Sequence, residues 1–173
     1  MALLEIVEFP NAGLKENCKP VEQVTNEIRL LLDNMAETMY DAPGVGLAAP
    51  QIGIQKRIIV VDAGPDDPED ENDTGKLYKL INPKIIEKEG QIDSEEGCLS
   101  IPGIKETVKR AKRVVVEALD ENGEKITIDS DTFLAIVLQH EIDHLNGILF
   151  IDHLSRLKQK LVKAKIKKLK TYA

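Results

Sequence analysis

The sequence lacks the features that mark several large classes of protein. Its 173 residues include no Trp, three Phe, three Tyr and two cysteines. So few aromatic residues leave little material for the base-stacking platforms of single-stranded nucleic-acid binders. The two cysteines, Cys18 and Cys98, lie far apart in the chain and exclude a disulfide-rich scaffold, so we expect a reduced compartment, the cytoplasm.

Long hydrophobic runs are also missing. No apolar stretch approaches the roughly 20 residues needed to cross a bilayer. Glu5 and Glu8 interrupt the apolar residues near the start, which follow no basic segment, so no secretory signal is predicted. We therefore expect a globular protein with no membrane partner.

Positive charge is scarce over most of the chain and concentrated at its end. The formal net charge is −7, which argues against a basic DNA-binding protein. Residues 155–173 nevertheless hold eight basic residues and no acidic one, leaving a formal charge of −15 on residues 1–154. We expect a single domain over 1–154, followed by a basic C-terminal helix over 155–173.

Apolar spacing predicts an α+β chain. Residues three and four apart predict helices over 24–39 and 131–145, the second capped by Ser130 or Asp131. Short runs predict strands over 57–62, 77–87, 114–119 and 125–129, and the acidic stretch 64–75 reads as a surface loop. The basic C-terminal helix has a loose apolar stripe made of Leu154, Leu157, Leu161, Ala164 and Leu169.

The sharpest chemical signal is His140-Glu-Ile-Asp-His144. On a helix, positions i and i+4 share one face, so both imidazoles can reach one metal ion. Glu141 lies beside them, where it can hold a water molecule rather than the metal. A buried polar cluster without metal is the plain structural alternative.

Two histidines are not a complete catalytic metal site, which usually has three protein ligands. Zinc endopeptidases with this motif take the third ligand from downstream, and this alternative function stays open at this point. Phe150 stands where one version needs His, and only Asp152 and His153 remain as weak downstream candidates. An upstream ligand is therefore favoured.

Cys98 is the strongest upstream candidate, in the non-helical stretch EEGCLSIP over 95–102. A lone cysteine is more often a small buried hydrophobic residue, and that interpretation is kept for Cys18. A third segment, GVGLAAPQ over 44–51, packs small residues around the amide of Gln51.

Together the three segments resemble the peptide deformylase family. The family motifs G-x-G-x-A-A-x-Q, E-G-C-L-S and H-E-x-x-H are all present here, in this order, and the resemblance covers nearly the whole chain. It implies an α+β fold in which antiparallel sheets pack around a central helix that carries H-E-x-x-H, with N-terminal and C-terminal helices. It also implies a metal-dependent hydrolase that removes the N-formyl group from the formyl-methionine of new polypeptides and releases formate.

The resemblance assigns roles to particular residues. Cys98, His140 and His144 are the implied ligands of one divalent ion, with Fe2+ expected and Zn2+, Ni2+ or Co2+ able to occupy the same site. Glu141 is the implied acid and base, while the Leu99 backbone N–H and the Gln51 amide are implied donors to the developing oxyanion.

Further residues are implied to bind the substrate or to support the site. An apolar slot for methionine is expected from Val45, Phe133, Ile136 and Val137, with ordinary core packing as the alternative for each of the four. Substrate backbone pairing is expected from Gly46 and Gly97. Glu96 and Arg110 match a supporting ion pair. Lys105, where many relatives have Arg, and Ser94, where an apolar residue is common, depart from the family pattern.

The resemblance also concerns partners. Nascent formyl-methionyl polypeptides are the implied substrates. Relatives with a C-terminal helix use it to dock near the ribosomal exit tunnel, and the basic helix over 155–173 is expected to do the same. A solvated helix packed on the body is the alternative.

Overall fold

Three α-helices and seven β-strands form the chain in a computed structural model that describes residues 2–171. The helices are α1 Asn26–Asp41, α2 Phe133–Leu145 and α3 Arg156–Thr171. The strands are β1 Gly46–Ala48, β2 Ile58–Val61, β3 Tyr78–Glu89, β4 Ile92–Cys98, β5 Ile101–Arg110, β6 Arg113–Leu119 and β7 Lys125–Ser130. No helix within this range is long and apolar enough to cross a membrane.

All strand pairs are antiparallel. Five strands form one sheet in the order β1-β2-β3-β6-β7, and β4 and β5 form a separate two-stranded hairpin. Because helices and antiparallel strands are segregated along the chain, the predicted α+β class is confirmed. The predicted strands 57–62, 77–87, 114–119 and 125–129 overlap β2, β3, β6 and β7.

Helix α2 lies at the centre of the fold. Its apolar side chains Ala135, Val137, Leu138 and Ile142 are buried in one core cluster with the large sheet. Cys18 belongs to the same cluster and is 5% exposed, as expected for a core cysteine. The helix ends at Leu145, and Gly147 follows in the left-handed region at φ 72°, where glycine avoids backbone strain.

The start of α2 corrects one prediction. Its N-cap is Thr132, one or two residues later than the predicted Asp131 or Ser130. Ser130 ends β7, so it is still part of the strand, and its hydroxyl accepts a hydrogen bond from the Thr132 backbone N–H at 3.3 Å. The strand pairing therefore delays the helix by two residues.

Helix α3 packs through a different face from the one predicted. Val162 and Ile166 are its buried residues, and both join a second core cluster with Ile101 and Ile104 of β5. The predicted stripe is largely in solvent, since Leu157 and Leu161 are more than 60% exposed, although Leu154 before the helix is buried. The contact face of α3 depends on the buried apolar residues of β5, so it cannot be predicted from the sequence of α3 alone.

Candidate metal centre

The structure brings the three predicted ligands together. The potential donor atoms of Cys98, His140 and His144 all lie within 4.8 Å of one another. Cys98 ends β4, while the two histidines are one turn apart on α2, and the Cys98 Sγ lies 3.4 Å from Nε2 of His144. One thiol and two imidazoles are a donor set that suits a divalent transition metal.

The protonation of the two histidines differs because their surroundings differ. Burial and the neighbouring His140 lower the pKa of His144 well below its usual value, which keeps this imidazole neutral and able to ligate. Burial also opposes charge on His140, but hydrogen bonds with Cys98 and Glu96 raise its pKa to about 10. The His144 Nδ1 is buried without a hydrogen-bond partner among the described groups. Because Nε2 of His144, and not its Nδ1, faces Cys98 and Glu141, the cluster offers three donor atoms to one ion once Cys98 and His140 lose their protons.

A buried charge network holds His140 in place. Its Nδ1 donates to Glu96 at 2.9 Å, and the Arg110 guanidinium donates to both oxygens of Glu96 at 2.8 and 2.7 Å. Arg110 also donates to Asp143 at 2.6 Å, and His153 lies 2.8 Å from that carboxylate. Burial raises the pKa of Glu96, but the Arg110 and His140 contacts outweigh it and lower the pKa to about 2. Such outer partners fix the orientation of a ligating imidazole.

Glu141 faces the same cluster from α2. Its Oε1 lies 4.0 Å from Nε2 of His140 and 3.9 Å from Nε2 of His144, and its Oε2 is buried without a described partner. Burial raises the pKa of Glu141 to about 7, although His140 and Arg110 work in the opposite direction. A carboxyl group with a pKa near 7 can both accept and return a proton at neutral pH.

Gln51 is oriented by its own short 3-10 turn, Ala49–Ile52. Its Oε1 accepts from the Ala48 backbone N–H at 2.9 Å, which leaves Nε2 to donate toward Cys98 at 3.5 Å and Ser100 at 3.2 Å. The side chain is buried, so these contacts fix its rotamer. The amide N–H therefore points at the ligand cluster, as the predicted donor role requires.

A cavity of about 730 Å³ opens beside the cluster. Every predicted substrate residue lines it, namely Val45, Gly46, Gly97, Phe133, Ile136 and Val137. Leu99 lines it as well, next to Gly44, where an added Cβ would lie 2.8 Å from the Leu99 Cδ1. Apolar walls with the polar cluster at one end form a site for a ligand that has an apolar side chain and a polar reacting group.

Sequence reasoning missed several residues near this site. The motif pattern predicts no separate role for Asp143 and only a weak ligand role for His153, yet Asp143 accepts a hydrogen bond from Arg110 and His153 lies 2.8 Å from the Asp143 carboxylate. The sequence gives Ser100 no role beyond its place in the motif around Cys98, although Ser100 is fully buried and contacts Gln51. Lys165 of α3 lines the cavity, and only a prediction of how α3 packs could have found it.

No downstream residue takes part in the ligand cluster as found in residues 2–171. Phe150 instead stacks on His140, with ring centroids 6.0 Å apart. The third candidate donor is Cys98, from upstream. The arrangement that a zinc endopeptidase with this motif requires is therefore not formed.

Comparisons with known proteins agree with this geometry. The sequence model of the family described as Polypeptide deformylase matches residues 3–160. The peptide deformylase of Neisseria meningitidis is 51% identical over 97% of this chain and 96% of its own length, and that of Thermodesulfovibrio yellowstonii is 50% identical over 96% and 98%. The crystal structure of peptide deformylase from Ehrlichia chaffeensis in complex with actinonin has a TM-score of 0.89 and 42% identity, covering 97% of this chain and 98% of that one. The chain belongs to the polypeptide deformylase family.

Proposed function

We propose that this chain is a peptide deformylase, which hydrolyses the N-formyl group of formyl-methionine at the start of new polypeptides and releases formate. The observation that carries the proposal is the cluster of Cys98, His140 and His144 beside a cavity that Cys98, His140 and Glu141 help to line. The water oxygen forms a bond to the formyl carbon, and the bond from that carbon to the methionine nitrogen breaks. The products are formate and a free amine.

Cys98, His140 and His144 are the residues proposed to hold the metal. A divalent ion bound there would supply Lewis-acid chemistry and make water acidic enough to yield hydroxide near neutral pH. We propose Fe2+ as the physiological ion, with Zn2+, Ni2+ or Co2+ able to replace it. Purification without oxygen, metal analysis and a comparison of turnover with iron and zinc would test this; a zinc-loaded protein with the higher turnover would contradict it.

The protein groups have separate proposed roles in the reaction. Glu141 takes the proton of the attacking water and delivers it to the departing amine. The Gln51 amide and the Leu99 backbone N–H donate hydrogen bonds to the oxygen on which negative charge develops. The supporting observation is that the Gln51 N–H already points at the cluster.

The cavity residues are proposed to position the substrate. Val45, Phe133, Ile136 and Val137 would surround the methionine side chain, which is unbranched and fits an irregular apolar slot. Gly46 and Gly97 would pair through their backbones with the substrate chain, a mode that depends little on sequence beyond methionine.

Formate release tests this function directly. The metal-reconstituted protein, kept without oxygen, is expected to release formate from formyl-Met-Ala-Ser, and the Glu141→Ala variant is not. Release by wild type no faster than by the variant would refute the proposed function.

We also propose that 1–154 is the catalytic domain and that α3 docks this cytoplasmic enzyme on the ribosome. The support is charge: the body carries −15 and the last 19 residues carry +8. Phosphate contacts release counterions, so binding should weaken steeply as salt rises.

A Lys160→Gln, Lys163→Gln, Lys167→Gln triple variant should bind ribosomes more weakly than wild type in sedimentation, with unchanged peptide turnover. Binding that does not respond to salt would contradict the proposal.

A further inference from the structure

Helix α3 forms part of the wall of the active-site cavity. Its Lys165 lines the cavity together with residues of α2 and β4. Buried Val162 and Ile166 fix the helix on either side of this lysine. One turn later, Leu169 lies over Gly103, where an added Cβ would come within 3.1 Å of the Leu169 Cδ1. The backbone position of Lys165 is therefore fixed by three packed residues of its own helix.

A second lysine lies on the same rim. Lys105 of β5 lines the cavity, and its Cγ would be 3.7 Å from a Cβ added at Gly97. Both lysines are exposed, and neither forms an ion pair with any carboxylate in residues 2–171. The exposed Glu95 also lines the cavity. The rim thus carries two unpaired positive charges and one negative charge.

The deeper carboxylates do not neutralise these lysines. Glu96 is held by Arg110 through two hydrogen bonds, and Glu141 faces the ligand cluster. The reacting end of a substrate lies at that cluster, so the following residues of the polypeptide must leave through the rim. Lys105 and Lys165 are exposed residues of the cavity lining, so their ammonium groups can reach a chain that leaves on their side.

We propose that Lys165 is a specificity-determining residue that favours substrates with acidic side chains shortly after the formyl-methionine. This inference rests on the proposed function. An ammonium group attracts a carboxylate and repels another ammonium group, and a pair that stays in contact with water changes affinity about two- to fivefold. The preference should fade as salt rises, because solvent screens exposed charges.

The test compares two peptides, formyl-Met-Ala-Asp-Ala-amide and formyl-Met-Ala-Lys-Ala-amide, whose amidated ends carry no terminal charge. Wild type should show a kcat/KM about two- to fivefold higher for the Asp peptide, mainly through KM. Lys165→Gln should bring the ratio close to one, and Lys165→Glu should reverse it. Lys109→Glu is the matched control, since Lys109 is exposed on β5 and does not line the cavity; its ratio should equal that of wild type.

Two results would overturn the inference. One is equal ratios for wild type and Lys165→Glu, and the other is the same shift for Lys165→Glu and Lys109→Glu. Binding of the deformylated peptides Met-Ala-Asp-Ala-amide and Met-Ala-Lys-Ala-amide to the same variants gives a readout that needs no turnover. If no peptide released formate, the proposed function would fail, while the binding ratios would still decide whether Lys165 selects acidic chains.

Discussion

Glu141 is the single residue on which the proposed chemistry depends most. It is buried against two candidate ligands, and one of its oxygens contacts no described hydrogen-bond donor. Glu141→Gln keeps the shape and removes the proton acceptor, so we expect kcat to fall by about 10²- to 10⁴-fold. Metal content should stay at the wild-type level when both are measured on the same preparation. A variant that loses its metal would show that Glu141 supports the ligands instead.

Gln51 allows a test of the proposed oxyanion contact. Gln51→Leu removes the amide that points at the cluster, and we expect kcat to fall by about 10²- to 10³-fold. Gln139→Leu is a matched control, because within residues 2–171 the buried Gln139 amide bonds only the backbone of Ala111 and Ala135. It should lose stability and keep its rate. Equal losses of rate in the two variants would contradict a special role for Gln51.

Arg110 carries the stability of the network behind His140. Arg110→Ala would remove the guanidinium that donates two hydrogen bonds to the buried Glu96 carboxylate, and breaking a buried pair in this way typically costs about 3–5 kcal/mol of unfolding free energy. Urea unfolding measures this cost. Arg113→Ala, which removes a partly exposed arginine paired with the exposed Asp129 and Glu89, should cost far less. A small loss for Arg110→Ala would mean that water reaches Glu96.

The strands of the β4–β5 hairpin are the elements that apolar periodicity does not predict. The helices α1 and α2 and most strands of the large sheet follow apolar periods that the sequence displays. In the hairpin, the inward positions include Ser94, Glu96 and Arg110, which are polar and buried. Because alternation is judged by hydrophobicity, β4 gives no such signal, since its buried positions are the polar Ser94 and Glu96. Strand β5 buries Ile101, Ile104 and Val108, whose spacing of three and four residues is not that of a strand. The sequence displays the motif around Cys98, but not the strand β4 that positions Cys98.

Helix α3 illustrates a different limit. Its apolar residues recur at helical spacing, so the sequence predicts the helix. They lie on more than one face of that helix, so the sequence does not predict which face packs on the body. Because the predicted contact face was wrong, the sequence did not indicate that Lys165 lines the cavity. The ligands and acid of the candidate site were predictable because they lie within short motifs, whereas the rim is built from distant segments.

The packing of α3 can be tested through its buried face. Ile166→Ala removes a side chain that is 6% exposed, and we expect a loss of about 2–5 kcal/mol in unfolding free energy. Leu161→Ala, at 61% exposure on the same helix, should change it little. Thermal or urea unfolding of both variants gives the comparison. Equal effects would show that α3 does not rest on Val162 and Ile166 in solution.

For the whole molecule, metal binding should be linked to folding. The candidate ligands come from β4 and α2, so an ion held by both joins the hairpin to the central helix. A ligand that binds only the folded state stabilises it by about 4 kcal/mol at a thousand times its dissociation constant. Chelation should therefore lower Tm, and Cys98→Ser should lower it similarly without chelator. A Tm unaffected by chelation would contradict the proposed site.

Metal binding, and the stability it adds, should weaken as pH falls. Ligands must lose their protons to hold a metal, so protons compete with the ion as pH falls. Metal retained after dialysis should decrease toward acid, and the Tm difference between loaded and chelated protein should shrink with it. Loading that increased toward acid would argue against thiolate and imidazole ligands.

The close approach of Gly46 to Glu141 has a consequence for inhibitor resistance. A Cβ at Gly46 would lie 2.7 Å from the Glu141 Cγ, so any larger residue there pushes on the proposed catalytic carboxylate. A mutation that blocks an inhibitor at Gly46 would thus also damage the enzyme. Phe133 and Val45 are 51% and 43% exposed, so a change there would alter the proposed methionine slot without displacing buried groups. Inhibitors that bind through the Gly46 backbone rather than through the side chains of Phe133 and Val45 should therefore select fewer resistance mutations.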